Sequence, residues 1–125
     1  MKKYSIENYV RYKNDLAQAL KRIGNKPLAE YTEDELITRF LPLVENLARK
    51  FSTGQQASGV MSIMDLIQEG SYGLTAGVKR IDWDTILESE DQIKTMKSFL
   101  SKRIKGAIRR GIDINRGSMR IPEHK

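Results

Sequence analysis

The chain has 125 residues, a length typical of one domain with a single hydrophobic core. It contains no cysteine and one histidine, which excludes disulfides, thiolate nucleophiles and the usual zinc sites. The amino terminus is polar, and no apolar run approaches the roughly eighteen residues of a membrane span. We therefore expect a cytoplasmic protein with no cofactor, no metal and no membrane partner.

The net charge of +6 is unevenly distributed along the chain. Residues 1–31 carry seven basic and three acidic side chains, residues 32–93 carry five and eleven, and residues 94–125 carry ten and two. The three segments therefore have net charges of +4, −6 and +8. A short segment with so much positive charge favours a polyanionic partner, with nucleic acid ahead of a membrane surface.

Apolar residues recur at three- and four-residue spacing almost throughout, and alternating β-branched runs are missing. This pattern predicts an all-α fold, a compact helical bundle. The first helix is expected to begin after Ser5 and to end at Gly24. Residues 32–35 read as a capping box that opens a second helix, in which Pro42 indicates either a kink or two abutting helices.

A polar loop is expected over residues 52–59, followed by a capping box at Ser62 and a helix that extends to about Arg80. Three glycines lie on this helix, at Gly70, Gly73 and Gly77. Each costs the helix about 1 kcal/mol relative to alanine, so a packing reason is expected. We favour the close crossing of another helix over a phosphate-binding role, because no strand and turn precede the glycines.

Residues 81–91 are acidic and lack calcium-loop spacing, so a solvated loop is favoured over a cation site. Ser89 is expected to cap a last helix over residues 90–112. Its inward face would comprise Ile93, Met96, Phe99, Leu100, Ile104, Ala107, Ile108 and Ile112. Its opposite face would carry Lys97, Lys102, Arg103, Lys105, Arg109 and Arg110. The helix is predicted to break at Gly111, and Pro122 to hold the closing residues extended.

The basic face of the last helix predicts a surface that binds a nucleic-acid backbone. The alternative is an ordinary charged face in solvent. We favour the first because no acidic residue lies between Lys94 and Ile112, whereas a surface kept soluble by charge mixes both signs. No nucleophile and base are paired in the sequence, so an enzyme is not expected.

Two motifs make the resemblance to a known family specific. Residues 65–74, DLIQEGSYGL, followed by residues 78–82, VKRID, resemble the core-binding helix of the primary bacterial sigma factors. Residues 104–112, IKGAIRRGI, and the closing residues 119–124, MRIPEH, resemble the family's DNA-melting helix and the basic stretch after it. Residues 41–51, LPLVENLARKF, resemble the helix that precedes both.

The resemblance covers about residues 36–125, and residues 1–35 would form an N-terminal helical segment of the same domain. It implies a bundle like sigma domain two, which docks on the clamp helices of the largest subunit of core RNA polymerase and recognises and melts the −10 promoter element. The implied polymerase contacts fall on Asp65, Gln68 and Glu69. Tyr72 shares their helix face by its spacing, and acidic or amide side chains suit a basic coiled-coil partner.

The residues expected to bind DNA are Phe99, Lys102, Arg103, Lys105, Arg109, Arg110, Arg116, Arg120 and His124. Phe99 falls where the family has an aromatic residue that stacks on a flipped base. Lys102 and Arg103 stand where the family has a pair of tryptophans that wedge the duplex, so weak melting is expected. The family's base-reading glutamine and threonine fall on Gly106 and Arg109, so readout should differ too.

Three functions remain open at this point. The first is a sigma-like initiation factor, either a fragment or a minimal form of phage or mobile-element type that needs a further factor to hold upstream DNA. The second is a decoy or regulator that occupies the sigma site on the polymerase without melting promoters. The third is a helical nucleic-acid binder with no polymerase partner, which leaves the DLIQEG run unexplained.

Overall fold

The structure is a computed structural model that describes residues 2–53 and 61–124, with side chains described for residues 8–52 and 61–114. Within these ranges the chain forms helices and no strand, which confirms the all-α bundle. The elements in order are α1 (Lys2–Ile23), a 3-10 turn (Leu28–Glu30), α2 (Glu33–Thr53), α3 (Ile63–Val78), α4 (Trp83–Glu88) and α5 (Gln92–His124).

Local capping signals set the helix ends that the sequence predicted best. Gly24 has a φ of +71° and donates its N–H to the last turn of α1, which ends the helix. The Thr32 hydroxyl accepts the Glu35 N–H at 3.1 Å, and the Glu35 carboxylate accepts the Thr32 N–H at 3.0 Å. Ser62 begins α3 with the same reciprocal arrangement. Both predicted capping boxes are therefore confirmed.

The first two helices differ from expectation at their boundaries. α1 begins at Lys2 rather than after Ser5. α2 is one helix through Pro42, which excludes two abutting helices. The flanking Phe40 and Val44 are buried in the core, and such packing outweighs one missing backbone donor. The loop expected over residues 52–59 begins inside α2 and, from residue 54, lies outside the described residues.

The acidic segment that the sequence predicted as a loop contains the short helix α4. Asp82 caps it, because its carboxylate accepts the Thr85 N–H at 3.4 Å and the Thr85 hydroxyl at 2.8 Å. Ile86 is 2% exposed and fixes the helix to the core. A cap and one buried anchor are enough to form a helix here, although half of its six residues are acidic or polar.

α5 begins with a different cap from the one predicted. Asp91 accepts the N–H of Lys94 at 3.1 Å, whereas the hydroxyl of Ser89 bonds to the hydroxyl of Thr95. Ile93, which the sequence placed on the inward face, is 46% exposed. The buried side of α5 therefore starts one turn later than its apolar pattern indicates.

α5 also extends beyond its predicted end. It continues past Ile112 to His124, so the break expected at Gly111 is wrong. Gly111 lies against Glu69 of α3, where a Cβ would come within 2.7 Å of the glutamate Cγ, so this glycine serves close packing rather than helix termination. The extended tail expected at Pro122 is wrong as well, since this residue lies in the last turn of α5, where it removes a single backbone donor.

The core forms where α3 packs against α2 on one side and α5 on the other. α1 packs on α2 and α3, and α4 packs on α5. The largest fully buried side chains are Leu36, Val44, Leu66, Leu74, Met96, Leu100, Ile104, Ile108 and Ile112. Five of these nine belong to α5, so this helix contributes more of the fully buried side chains than any other helix. Its exterior is cationic over a long stretch.

A polar cluster joins α1 to α2. Glu45 is 7% exposed, and its carboxylate accepts a hydrogen bond from the Tyr9 hydroxyl at 2.5 Å. It also pairs with Lys13 at 3.2 Å and with Arg49 at 2.8 Å. Burial alone raises the pKa of Glu45, but hydrogen bonds from Tyr9 and Lys13 and the two cations outweigh burial and hold the pKa below its ordinary value. The buried carboxylate is thereby kept charged.

Tyr12 lies beside this cluster, with its buried hydroxyl lacking a hydrogen-bond partner among the described residues. Burial, the charge of Glu45 and the neighbouring Tyr9 raise the pKa of Tyr12 to about 12. The same phenol has a pKa of 10.0 when unperturbed, as in an unfolded chain. Above about pH 10 this phenol ionises in the unfolded chain but stays protonated in the folded one. The free energy of unfolding therefore falls as the pH rises from about 10 to about 12 and is unaffected by this group below about pH 10.

We expect Tyr12→Phe to leave the free energy of unfolding at pH 7 unchanged or to raise it by up to about 1 kcal/mol, because an unsatisfied hydroxyl is removed. The variant should also lose less stability than the native chain near pH 11. Tyr9→Phe is the matched control and should lower stability by about 1 kcal/mol, since it breaks contacts to Glu45 and Arg49. Urea unfolding at both pH values measures these differences, and equal losses in the two variants at pH 7 would contradict the assignment.

Candidate functional site

Glycines on α3 let α5 approach to within backbone contact. A Cβ at Gly73 would lie 2.6 Å from the carbonyl oxygen of Arg103 and 2.8 Å from the Cβ of Ala107. A Cβ at Gly70 would lie 2.8 Å from Cγ1 of Val44 on α2. Real Cβ atoms do not tolerate such distances, so the predicted close helix crossing is confirmed.

A groove runs along one side of this crossing, and we call it the α3–α5 groove. Its volume is about 670 Å³. Among the residues that line it are Glu69 and Tyr72 from α3, with Phe99, Lys102, Arg103 and Arg110 from α5. Where α3 and α5 cross, small residues lie between the two helices. Aromatic and charged side chains line the groove beside this contact. It brings together residues that the sequence assigned to two separate partners.

Five basic residues of α5 lie on two surfaces rather than on one face. Arg103 and Arg110 line the α3–α5 groove. Lys97 and Lys105 line a shallower depression on another side of α5. Lys102 lines both and stands between them. All five side chains are exposed, so both surfaces are open to a polyanion.

Arg109 occupies a third position, with its guanidinium carbon 5.9 Å from the ring centroid of Phe51 on α2. Arg116, Arg120 and His124 belong to the last turns of α5, where the side chains lie outside the described residues. Their expected role in DNA binding therefore stays a prediction. The side chains of the cationic surface are therefore described only as far as Ile114 of α5.

Phe99 does not present a free ring to the groove. It is half-buried and packs against the hydrophobic core, and the guanidinium carbon of Arg103 lies 4.7 Å from its ring centroid. The Arg103 side chain passes over Gly77, where a Cβ would lie 2.9 Å from the arginine Cδ. A glycine on α3 thus makes room for an arginine that stacks on Phe99, and the guanidinium plane covers that side of the ring.

The residues expected to contact the polymerase lie on one side of α3 but differ in exposure. Gln68 is exposed and Tyr72 is 63% exposed. Asp65 is exposed, and its carboxylate is already used to cap α3. Glu69 is half-buried and lies against Gly111 of α5. Gln68 and Tyr72 are therefore the side chains of this group most available to a protein partner.

Sequence reasoning missed two residues that line the groove, Arg80 and Ile114. Arg80 follows Tyr72 and Ala76 at four-residue spacing, a signal that could have placed it on the same side of α3. Ile114 is 60% exposed and could not be found, because the sequence predicted the last helix to end at Ile112. The groove therefore contains more positive charge and more apolar surface than expected.

In the part of the chain that the structure describes, no helix combines the length and the apolar character needed to cross a membrane. In the same part, no three histidine, cysteine or acidic side chains come together as metal ligands would. Two of the carboxylates in residues 81–91, those of Asp82 and Asp91, are used instead as helix caps.

Comparison with protein-family models finds no matching family, and comparisons with curated proteins and with solved structures find no match either. Function must therefore be argued from the motifs in the sequence together with the chemistry of the α3–α5 groove. The motif helix and the basic helix are the two walls of that groove, which is the starting point for a functional proposal.

Proposed function

We propose that the chain is a sigma-like transcription initiation module. In this proposal, the exposed side of α3 docks on the clamp helices of core RNA polymerase, while α5 and the α3–α5 groove bind −10 promoter DNA. It would act in the cytoplasm of a bacterial cell or a phage-infected host, with a further factor to hold upstream DNA. The observation that carries the proposal is that the DLIQEG helix and the cationic helix form the two walls of one groove.

The charges of α5 support the DNA-binding half of the proposal. No acidic residue occurs between Lys94 and Ile112, and the cations of this stretch are exposed. Cations at helical spacing neutralise successive phosphates, which makes affinity steeply dependent on salt. Stacking groups beside such a surface add affinity for unpaired bases, and the groove supplies the Phe99–Arg103 pair.

The docking half of the proposal predicts that Gln68→Lys combined with Tyr72→Ala abolishes binding to core polymerase. The double variant places a positive charge on the docking surface and removes an exposed aromatic residue, and both effects weaken association with a basic partner. Both side chains are exposed, so helicity and thermal stability should be unchanged. Co-elution with core polymerase on size exclusion measures the effect.

Gln18→Lys is the matched control for this experiment. It makes the same substitution at an exposed position of α1, and the variant should co-elute with core polymerase like the native chain. If the double variant still co-elutes with core polymerase while remaining folded by circular dichroism, α3 is not the docking helix.

A second candidate function, a decoy that occupies the sigma site, is favoured by one observation. The ring of Phe99 is covered by Arg103, and Lys102 lies beside it, so an apolar wedge is missing from this position. Such a protein would bind the polymerase and block initiation. Abortive initiation with core polymerase on premelted −10 DNA separates the two, because an initiation module yields short transcripts and a decoy yields none.

We expect Arg103→Lys to weaken binding of a single-stranded −10 oligonucleotide about tenfold, within the ~1–3 kcal/mol per stacked base seen for such contacts. Lysine keeps the charge of arginine but has no plane to stack, so affinity for duplex DNA and its salt dependence should change little. Lys105→Ala should show the opposite pattern, with weaker duplex binding and a shallower salt dependence. Fluorescence anisotropy over a salt series measures both. If Arg103→Lys bound both DNA forms as tightly as the native chain does, Arg103 would act through its charge alone.

A further inference from the structure

Glu69 lies inside the α3–α5 groove instead of pointing away from it. A Cβ built on Gly111 would lie 2.7 Å from its Cγ and 3.0 Å from its Oε1, so the carboxyl group rests directly on the backbone of α5. The side chain is half-buried, and it is the only acidic group among the described residues that line the groove. The sequence assigned it to the polymerase, but its surroundings are those of the DNA-binding helix.

The carboxylate of Glu69 forms no hydrogen bond or ion pair with a described side chain, although Arg80, Arg103 and Arg110 line the same groove. It therefore remains available as an acceptor, in a groove whose positive charge draws phosphates towards it. The guanidinium of Arg103, stacked on Phe99, offers a planar surface in the same groove. An acceptor near a stacking platform is the arrangement that reads the edge of a base.

The groove is large enough for this role. Its volume of about 670 Å³ falls within the ~300–1,000 Å³ of pockets that hold small organic ligands. Its remaining charged lining groups are cations suited to phosphates, so only Glu69 offers a full negative charge to a base. A carboxylate accepts hydrogen bonds from an exocyclic amino group, such as N4 of cytosine, and is repelled by a carbonyl oxygen such as O4 of thymine or uracil.

We infer that Glu69 is a specificity-determining residue, which makes the α3–α5 groove prefer unpaired bases with an exocyclic amino group over thymine or uracil. The inference rests on the proposed function, in that the groove must first bind unpaired DNA. It assigns to Glu69 a contact with the base, while the cations of α5 hold the backbone.

Oligo-dC and oligo-dU of equal length provide the test, because the two bases have the same ring size and stack similarly but differ at the amino and carbonyl positions. At pH 8, where cytosine N3 is unprotonated, the native chain should bind oligo-dC about tenfold more tightly than oligo-dU. Glu69→Gln should reduce the ratio to near one, because the amide offers a donor as well as an acceptor. The glutamine has the same shape and keeps the packing on Gly111.

Glu88→Gln is the matched control, since it removes the same charge from an exposed position on α4 outside the groove. It should raise affinity for both oligonucleotides slightly and leave the ratio unchanged. A native ratio near one, or a ratio that Glu69→Gln leaves intact, overturns the inference while the proposed DNA binding stands. If the native chain binds neither oligonucleotide, the DNA-binding half of the proposed function fails and the inference fails with it.

Discussion

Replacing Gly73 with alanine should lower the free energy of unfolding by about 2 kcal/mol and the midpoint of thermal unfolding by roughly 8 °C. The added methyl group would lie 2.6 Å from the carbonyl oxygen of Arg103, a backbone atom that cannot move without displacing α5. Alanine also gains about 1 kcal/mol of helix propensity over glycine, so the expected loss is what remains after that gain. Denaturant unfolding followed by circular dichroism measures it.

Gly106→Ala is the matched control on the opposing helix. A Cβ there meets nothing within 4 Å, so only the propensity gain remains and stability should rise by up to about 1 kcal/mol. The two variants make the same chemical change and should shift stability in opposite directions. If Gly73→Ala were as stable as Gly106→Ala, α3 and α5 would not be in backbone contact at Gly73. The shape of the α3–α5 groove described above would then be wrong.

With core polymerase, the chain should initiate from premelted −10 DNA on the order of 100-fold more effectively than from fully paired DNA. Unstacking a base step costs a few kcal/mol, and sigma-like factors are expected to offset that cost with an apolar wedge. The positions that the sigma resemblance assigns to the wedge hold Lys102, which is exposed, and Arg103, which already lies over the ring of Phe99. Cations hold phosphates well but do not replace stacked bases. The yield of abortive transcripts compares the two templates, and permanganate reactivity of thymines reports opening of the paired one.

Lys102→Trp should narrow the gap between the two templates, because it places an apolar surface at the rim of the α3–α5 groove. Lys21→Trp is the control, since it makes the same exchange at an exposed position of α1 outside that groove and should leave the gap unchanged. Equal initiation from paired and premelted templates by the native chain, with no accessory factor, would contradict the expectation that Lys102 and Arg103 make melting weak.

The sequence by itself determined the features that depend on local energetics. The all-α class follows from apolar periodicity, the Thr32 and Ser62 capping boxes from side chains three residues apart, and the end of α1 from one glycine. Each involves groups that interact within one helical turn, so neighbouring residues suffice to predict it. The close crossing at Gly73 was also predictable, because glycines in a helix interior lower stability and close packing is what compensates for the loss.

The tertiary structure alone decided what depends on contacts between distant segments. Gly111 and Pro122 look like helix-ending residues, yet α5 continues through both. At Gly111 the reason for the glycine is its close packing on Glu69 of α3. Arg103 has the same charge as Lys105, and only the fold shows that one stacks on Phe99 and lines the groove while the other does not. Helical spacing tells which residues share a side of a helix, but the neighbouring helix determines which side becomes a site.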